Sequence, residues 1–258
     1  MGAVRGVLLD LEGVLYQGDA PIEGAIKAVS QLRAAGLGLR FLTNTTTKPR
    51  RDIVARMQAM GFEVDIAHFF SPALAAGQIL RDSGVNRLFL AAPTDLAHDF
   101  ADFELVDHDV HAVVMGDLYL DFHWTTLNQA FQMLRGGARL LALHKNRYCR
   151  RGNAIGLDLG PFVAALEYAA GVKAEVVGKP SPAFFATAVA NLGLEPDAVL
   201  MVGDDIEADI GGAQRSGIRG VQVRTGKYDA SLTHDITPDA IIDSIAELPQ
   251  CIAKLSSL

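Results

Sequence analysis

The stretch Val7-Leu8-Leu9-Asp10-Leu11-Glu12-Gly13-Val14-Leu15-Tyr16 decides the fold of this chain. Its apolar run is typical of a buried strand, because it is too short for a helix and a glycine follows it. Acids at the carboxyl end of such a strand lie where open α/β sheets bind their ligands. Since burial of an unpaired carboxylate is costly, Asp10 and Glu12 indicate a cation site or a nucleophile beside an acid/base. The alternative is a capped strand end with solvated acids.

The composition of the chain is that of an ordinary globular protein. With 258 residues, half of them apolar and 21% charged, it can form one large domain or two smaller ones. The net charge of -7 argues against nucleic acid as the main partner. Two cysteines are too few for a disulfide scaffold. No stretch has the pattern of a leader or the length of a membrane span, which predicts a cytoplasmic protein without a membrane partner.

Strands and helices are expected to alternate along the rest of the chain. Strands are predicted near residues 37–42, 88–90, 113–115, 140–143, 176–177, 198–202 and 220–223. Helices are predicted near residues 23–35, 49–61, 124–134, 162–170 and 238–255. This alternation indicates parallel strands joined by right-handed crossovers, and therefore an α/β fold.

Two further strand ends carry groups that suit a phosphate. Thr43 and Asn44 place a hydroxyl and an amide before a helix N-terminus, although a turn that merely caps the helix is the alternative. Lys179 ends another strand, and Pro180 fixes the backbone after it, which suits a fixed positive charge near a phosphate. The alternative is a surface lysine before a helix. In either case the side chain of Lys179 is expected to contribute little to the core.

A last apolar run, at residues 198–202, repeats the pattern of the opening stretch. It ends in Gly203 and a group of acids, which are Asp204, Asp205, Glu207 and Asp209. Four acids in six positions would repel one another strongly without a cation. The sequence therefore indicates a second set of cation ligands at a strand end.

Together these motifs resemble the four motifs of the haloacid dehalogenase superfamily. They are Asp10-x-Glu12-Gly13-Val14, Thr43-Asn44, Lys179-Pro180 and Gly203-Asp204-Asp205-x3-Asp209. The long insertion between the second and third motifs is similar to the C2-type, NagD-like cap of nucleotide and pyridoxal-phosphate phosphatases. The resemblance implies a Rossmann-like parallel-sheet core from residues 1–79 and 179–258, and an inserted α/β cap at 80–178 that sets substrate specificity. Related capped enzymes often dimerise through the cap, so a homodimer is left open.

The resemblance also implies a reaction. The chain would be a Mg²⁺-dependent phosphatase of small phosphorylated substrates, such as phosphate esters, pyrophosphate or phosphoramidates. Asp10 would be the nucleophile and would form an aspartyl-phosphate. Glu12 would be the general acid and base. The carboxylates of Asp10 and Asp204 and the main-chain oxygen of Glu12 would hold the Mg²⁺.

The remaining motif residues take supporting roles in this resemblance. Thr43, Asn44 and Lys179 would bind the oxygens of the transferring phosphate. Asp209 and Asp205 would orient the water ligands of the metal, or Lys179, from behind. In the cap, segments 117–124 and 144–148 could contact a leaving group, although a position on the surface or packing inside the cap is the favoured interpretation.

Glu12 is where the sequence departs from the family pattern, since most phosphatases of the family have aspartate at that position. The extra methylene matters, because a shift on the order of an ångström can cost about a hundredfold in rate. A phosphate-ligand binding or regulatory protein with little turnover is therefore the alternative function. A nucleotide-binding oxidoreductase is disfavoured, because no Gly-x-Gly-x-x-Gly follows the first strand.

Overall fold

The computed structural model describes residues 2–151, 154–231 and 235–255. In these residues the strands are β1 (Gly6–Asp10), β2 (Tyr16–Gln17), β3 (Ala20–Pro21), β4 (Gly38–Leu42), β5 (Phe69–Phe70), β6 (Arg87–Ala91), β7 (Glu104–Leu105), β8 (Ala112–Met115), β9 (Arg139–Ala142), β10 (Tyr148–Arg151), β11 (Ala154–Leu157), β12 (Glu175–Val176), β13 (Val199–Gly203), β14 (Arg219–Val223) and β15 (Ala240–Ile242). The α-helices are α1 (Ala25–Ala34), α2 (Arg50–Ala59), α3 (Pro72–Asp82), α4 (Trp124–Arg135), α5 (Leu159–Ala170), α6 (Pro182–Leu192), α7 (Gly212–Arg215) and α8 (Leu248–Leu255). None of the described helices combines the length and the apolar composition that a bilayer crossing requires.

Contacts between residues divide the chain into two compact units. The first unit contains Met1–Thr43, Arg51–Phe70 and Lys179–Leu258, and the second contains Asn44–Arg50 and Ser71–Gly178. Helix α3 lies in the second unit, where it packs against the helical turns at Thr94–Phe100. The domain boundary suggested by the sequence, between residues 79 and 80, falls inside this helix.

A parallel sheet forms the centre of the first unit. In the described residues it has six strands in the order β15-β14-β13-β1-β4-β5, and neighbouring strands run parallel. The central strands β1 and β13 are buried along their whole length, as expected for apolar runs covered on both faces. The predicted α/β class with a Rossmann-like parallel core is thereby confirmed.

The C-terminal region differs from the prediction of helices over residues 238–255. Ala240–Ile242 forms the edge strand β15, which pairs in parallel with β14, and only the last part of the region forms α8. The run contains two β-branched isoleucines, and Ile242 is buried in the core of the unit. The helical prediction was wrong for these three residues, because a short apolar run can complete a sheet edge as readily as it can begin a helix.

The second unit has its own parallel sheet. Among the described residues its strand order is β12-β9-β8-β6-β7, and every neighbouring pair is parallel. Val113 and Met115 of β8 pack against α4 and α5 through Ala130 and Val163, which forms a separate apolar core. Strands β10 and β11 form an antiparallel hairpin outside this sheet. Residues 80–178, which the sequence predicts to be an inserted α/β cap, lie in this unit together with residues 44–50 and 71–79.

Candidate active site

The carboxyl ends of neighbouring strands in the first unit carry residues that the sequence singled out. Strand β1 ends at Asp10, which is paired with Leu42 of β4, so Thr43 follows at the same edge of the sheet. On the other side of β1, strand β13 ends at Gly203 and is followed by Asp204. Because the strands are parallel, these ends meet where open α/β sheets bind their ligands.

Lys179 joins two of the acids at this edge. Its side chain is only 3% exposed, and its Nζ donates hydrogen bonds to Asp10 Oδ1 and, at 2.7 Å, to Asp209 Oδ1. Burial alone would lower the pKa of Lys179, but the charges of Asp10 and Asp209 raise that pKa above its ordinary value. The amine therefore stays charged. The expectation that this lysine contributes little to the core was wrong, because its side chain is enclosed and held by two acids.

Three acids form a group that can hold a metal ion. Ligand atoms of Asp10, Asp204 and Asp209 all lie within 4.8 Å of one another. Burial, followed by the charges of Asp10 and Asp209, raises the pKa of Asp204 to about 8. Burial is also the main cause of the raised pKa of Asp209. When all three carboxylates are ionised, the Lys179 ammonium leaves part of their negative charge uncompensated. Because carboxylate oxygens are hard ligands, the donor set fits a divalent cation.

Glycines allow the backbone to close around these acids. Gly13 and Gly226 both have positive φ, at 86° and 69°, and a Cβ added to either would overlap the Asp204 carboxylate. A Cβ added to Gly203 would overlap the Asp209 carboxylate in the same way. Gly13 is therefore required for two reasons. Its positive φ suits the turn, and the Asp204 carboxylate packs where a side chain would lie.

Asp205 supports the segment that follows it rather than joining the group of three acids. Its Oδ1 accepts hydrogen bonds from the N–H groups of Glu207 and Ala208, at 3.1 and 2.9 Å. These bonds cap the π-helical segment Ile206–Gly211, which carries Asp209. Asp205 thus acts on the position of Asp209.

Lys227 is a residue of this site that the sequence reasoning missed. Its backbone N–H donates to Asp204 Oδ2 at 2.8 Å, and its Nζ lies 3.0 Å from Asp205 Oδ2. Burial would lower the pKa of Lys227, but the charges of Asp205 and Asp204 raise it. The signal that could have found it is Gly226, a glycine shortly after a buried strand, which allows a tight turn toward the acids.

Thr43 and Asn44 lie on either side of the division between the two units. Thr43 is buried at the end of β4, and its N–H donates to Phe70 O at 3.3 Å. Asn44 belongs to the second unit, where its Oδ1 lies close to Gly178. Thr43 therefore shares the sheet edge with Asp10, whereas Asn44 packs within the second unit.

Glu12 lies outside the group of three acids in the described structure. Strand β1 stops at Asp10 and the chain turns through residues 11–15, so that Glu12 is exposed. Its Oε1 accepts a hydrogen bond from the Gly18 N–H at 2.9 Å. Burial, followed by the charge of Glu12, raises the pKa of the neighbouring Tyr16. The two opening acids are thus separated, since Asp10 is buried in the site and Glu12 is bound to the loop after it.

A second group of buried polar side chains lies in the second unit. It consists of Thr46, Asp117, His144 and Asp158, each no more than 6% exposed. Thr46 Oγ1 accepts the Asp117 N–H at 3.0 Å and lies 3.4 Å from His144 Nε2. His144 Nε2 lies 3.7 Å from Asp158 Oδ1. Asp117 and His144 are therefore buried in this unit, and a contact of either with a leaving group stays a prediction.

Known proteins match the chain along nearly its whole length. A family model described as haloacid dehalogenase-like hydrolase matches residues 7–105, and one described as HAD-hydrolase-like matches residues 176–248. The human phospholysine phosphohistidine inorganic pyrophosphate phosphatase is 41% identical over 258 aligned residues, which cover 96% of this chain and 93% of that protein. The human haloacid dehalogenase-like hydrolase domain-containing protein 2 is 42% identical over 236 residues, or 92% of this chain and 90% of that protein.

A solved structure shares the whole fold. NagD from E. coli K-12 superposes with a TM-score of 0.86 at 24% identity, over 95% of this chain and 98% of that chain. This similarity confirms the parallel core with a NagD-like cap, and the identities of 41% and 42% confirm the family that the four motifs resembled. The chain therefore belongs to the haloacid dehalogenase-like hydrolases, as an enzyme of the phosphatase group within them.

Proposed function

We propose that the chain is a Mg²⁺-dependent phosphatase that hydrolyses small phosphorylated compounds through an aspartyl-phosphate intermediate. The observation that carries this proposal is the buried Lys179, whose amine lies against Asp10 and Asp209. A third acid, Asp204, belongs to the same group. A cation and several carboxylates at one sheet edge supply both a positive group for a phosphate and ligands for a metal.

The carboxylates of Asp10 and Asp204 and the main-chain oxygen of Glu12 would hold the metal. When bound, Mg²⁺ would neutralise the repulsion between a carboxylate nucleophile and a phosphate dianion. Asp209 accepts hydrogen bonds from Lys179 Nζ and, at 3.2 Å, from the Asp205 N–H, so it would hold the lysine in place from behind.

Asp10 would act first, as the nucleophile. One of its carboxylate oxygens bonds to phosphorus while the bond from phosphorus to the leaving oxygen breaks, and Glu12 gives that oxygen a proton. Glu12 then takes a proton from the water that attacks the phosphorus of the aspartyl-phosphate, which releases phosphate and restores Asp10. The Lys179 amine, the Thr43 hydroxyl and the Asn44 main-chain N–H would bind the transferring oxygens.

The inserted residues 80–178 would select the substrate. The name of the human relative includes phospholysine, phosphohistidine and inorganic pyrophosphate. Phosphoramidates and pyrophosphate therefore stand beside simple phosphate esters in the proposed substrate class. Trp124 and Tyr148 are exposed, whereas Asp117 and His144 are buried. The two exposed rings are the better candidates for contact with a leaving group, because an aromatic face can pack against it.

A substrate panel tests this proposal. The purified protein would be assayed with alkyl and aryl phosphates, phosphoramidates and pyrophosphate, in Mg²⁺ and after chelation by EDTA. Release of inorganic phosphate is expected in Mg²⁺, and it should stop on chelation and return when Mg²⁺ is added back. No release from any member of the panel in saturating Mg²⁺ would contradict the proposal.

A second candidate function is phosphate-ligand binding or regulation with little turnover. The observation that favours it is Glu12, which is exposed and lies outside the group of three acids. Calorimetry with inorganic phosphate in Mg²⁺ distinguishes the two candidates. Stoichiometric binding by a protein that releases no phosphate from the panel would identify the binding protein.

A further inference from the structure

The loop at Gly18 and Asp19, which joins β2 to β3, is held from two sides. The two strands form an antiparallel hairpin. On one side of the loop, the Gly18 N–H donates to Glu12 Oε1 at 2.9 Å. On the other side, Arg56 Nη2 donates to Gly18 O and, at 3.0 Å, to Asp19 Oδ1. The N–H and the C=O of Gly18 are therefore each bound by a side chain from outside the hairpin.

Arg56 is held in this arrangement by more than its charge. It projects from α2, and its guanidinium carbon lies 5.0 Å from the centre of the Tyr16 ring. An arginine can stack on a ring and donate to several acceptors at once, whereas a lysine ammonium is a compact point charge. The ion pair with Asp19 contributes little by itself, because that carboxylate is almost fully exposed. The contacts that fix the loop are those with Gly18 O and Tyr16.

We propose that Arg56 is a positioning residue for the Glu12 carboxylate and acts on it through Gly18. This inference rests on the proposed function of Glu12 as general acid and base. Gly18 has φ 56°, and a Cβ added there would meet nothing within 4 Å. The side-chain face of Gly18 is therefore open, and the side chains that bind its N–H and its C=O are those of Glu12 and Arg56. The C=O that Arg56 binds belongs to the peptide after Gly18, and the N–H that Glu12 accepts belongs to the peptide before it. Loss of the Arg56 bond would therefore act on the N–H through the backbone of Gly18, which has no side chain to restrict it.

The length of the Glu12 side chain makes this support chemically important. A glutamate has one more rotatable bond than an aspartate, so its carboxylate has more positions to choose from. Proton transfer contributes to the rate only when the carboxyl group lies within hydrogen-bond reach of the leaving oxygen. The hydrogen bond from the Gly18 N–H restricts the positions that the Glu12 carboxyl group can occupy. Arg56 thereby supplies an anchor that a shorter aspartate would need less.

Leaving-group dependence tests the inference. The kcat/KM of Arg56→Met would be compared with wild type across a series from alkyl to nitrophenyl phosphates. We expect a loss of about tenfold for alkyl phosphates, as a fraction of the full contribution of proton transfer, and little loss for nitrophenyl phosphate, which leaves without protonation. Arg56→Lys, which retains the charge and one donor, should lie between wild type and Arg56→Met.

Two controls separate positioning from a general loss of structure. Arg51→Met removes a positive charge from the same helix, where the exposed Arg51 pairs with the partly buried Asp52, and it should leave the series unchanged. In a Glu12→Gln background the Arg56→Met substitution should have no further effect on leaving-group dependence, because the group that it positions is already inactive. Additive effects of the two substitutions would overturn the inference.

Amide exchange at Gly18 gives a readout that does not require turnover. In protein labelled with ¹⁵N-glycine, the Gly18 N–H should exchange faster in Arg56→Met than in wild type or Arg51→Met. Unchanged exchange, or a leaving-group series in Arg56→Met that matches Arg51→Met, would overturn the inference and leave the proposed function standing. A wild-type protein without turnover would instead contradict the proposed function, and faster exchange in Arg56→Met would then still support the contact between Arg56, Gly18 and Glu12.

Discussion

Asp204 in the first unit and Asp158 in the second are both buried acids, at 3% and 4% exposure, yet their surroundings differ. Asp204 lies in a group with two other carboxylates, and its pKa is raised to about 8 by burial and by their charges. Asp158 Oδ1 accepts the Leu159 N–H at 2.8 Å and begins helix α5. Asp117, the other buried acid of the second group, accepts the Tyr119 N–H at 2.9 Å through Oδ1.

This difference separates a reactive site from the interior of a fold. Acids that accept nearby backbone N–H groups help to define loops and helix ends, and they need no ligand. Carboxylates held close to one another repel until a cation or a substrate binds to them. Groups of acids with such repulsion cluster at functional sites. The two units have the same class of architecture, so the fold alone would not show which one carries the chemistry.

The largest effect that we predict is the loss of turnover in Asp10→Asn. The asparagine retains the shape of the side chain but has neither the nucleophilic oxygen nor the charge for the metal. We expect kcat to fall by about 10⁴-fold or more, as is typical when a covalent nucleophile is removed. Phosphate release from a generic phosphate ester is the measurement. Turnover at the wild-type rate would show that Asp10 is not the nucleophile. The acids of the first unit would then not be distinguished as the reactive group.

The second prediction concerns stability and compares one lysine from each unit. Lys179→Met leaves Asp10 and Asp209 buried without their counter-charge, so the free energy of unfolding in EDTA at pH 8 should fall by about 3–5 kcal/mol. The matched control is Lys145→Met in the second unit, which removes a pair with Glu167 at 2.6 Å. Lys145 is about one-third exposed, so the loss there should be about 1 kcal/mol or less.

Urea unfolding measures both variants. At pH 5.5 the loss in Lys179→Met should shrink, because protonation of Asp204 and Asp209, whose pKa values are raised, removes part of the repulsion. Equal losses in the two variants would mean that the ion pairs of Lys179 and Lys145 contribute equally to stability. That result would contradict this prediction.

The surroundings of Lys179 could be predicted from the sequence only in part. The acids at the ends of β1 and β13 could be predicted because the pattern is local, an apolar run followed by carboxylates and a glycine. The burial of Lys179 could not be predicted in this way, since it depends on Asp209, which lies 30 positions further along the chain. A lysine before a proline has the same local pattern whether it is exposed or enclosed.

Two other features could not be decided from the sequence, for related reasons. Lys227 contacts Asp204 through its backbone N–H, which leaves no signature in the type of residue 227, so the neighbouring Gly226 was the available signal. The separation of Asp10 from Glu12 depends on where β1 stops, and strand ends are the least certain part of a pattern-based assignment. The parallel core and the order of the motifs were accessible because they follow from alternating strands and helices over many residues.

The third prediction is a pH dependence of stability that comes from two acids of the first unit, Asp204 and Asp209. The folded pKa values of Asp204 and Asp209 are raised to about 8 and about 7, whereas an unfolded aspartate has a pKa of about 3.9. The folded state therefore keeps protons that the unfolded state has lost. The stability is full below pH 4 and decreases as the pH rises through 7 and 8.

In EDTA we expect the free energy of unfolding to drop by about 2 kcal/mol between pH 6.5 and 8.5, an order-of-magnitude value from proton linkage. Saturating Mg²⁺ should flatten this slope, because a bound cation favours the charged carboxylates in the folded state. Denaturant unfolding at several pH values, with and without Mg²⁺, is the measurement. A slope of the same size in Mg²⁺ would argue against a metal at these acids.

The smallest effect that we predict is that of Asp158→Asn, which makes in the second unit the same change that Asp10→Asn makes in the first. The asparagine retains an oxygen that can accept the Leu159 N–H, so the cap of α5 survives. His144 Nδ1 accepts the Asn146 N–H at 3.4 Å, which puts the ring proton on Nε2, where it faces Thr46 Oγ1 as well as Asp158. The imidazole therefore keeps an acceptor when the carboxylate is lost.

We expect Asp158→Asn to lower the free energy of unfolding by about 1 kcal/mol or less and to leave kcat unchanged. Asp158→Ala, which has no acceptor for the helix N-terminus, should cost about 1–2 kcal/mol and also leave kcat unchanged. Urea unfolding and a phosphate-release assay on the same samples provide both numbers. A fall in kcat of more than about tenfold in Asp158→Asn at unchanged stability, equivalent to 1.4 kcal/mol of lost transition-state binding, would place the second polar group in the reaction. The distinction between a reactive first unit and a structural second polar group would then fail, because the same conservative change would affect the chemistry in both units.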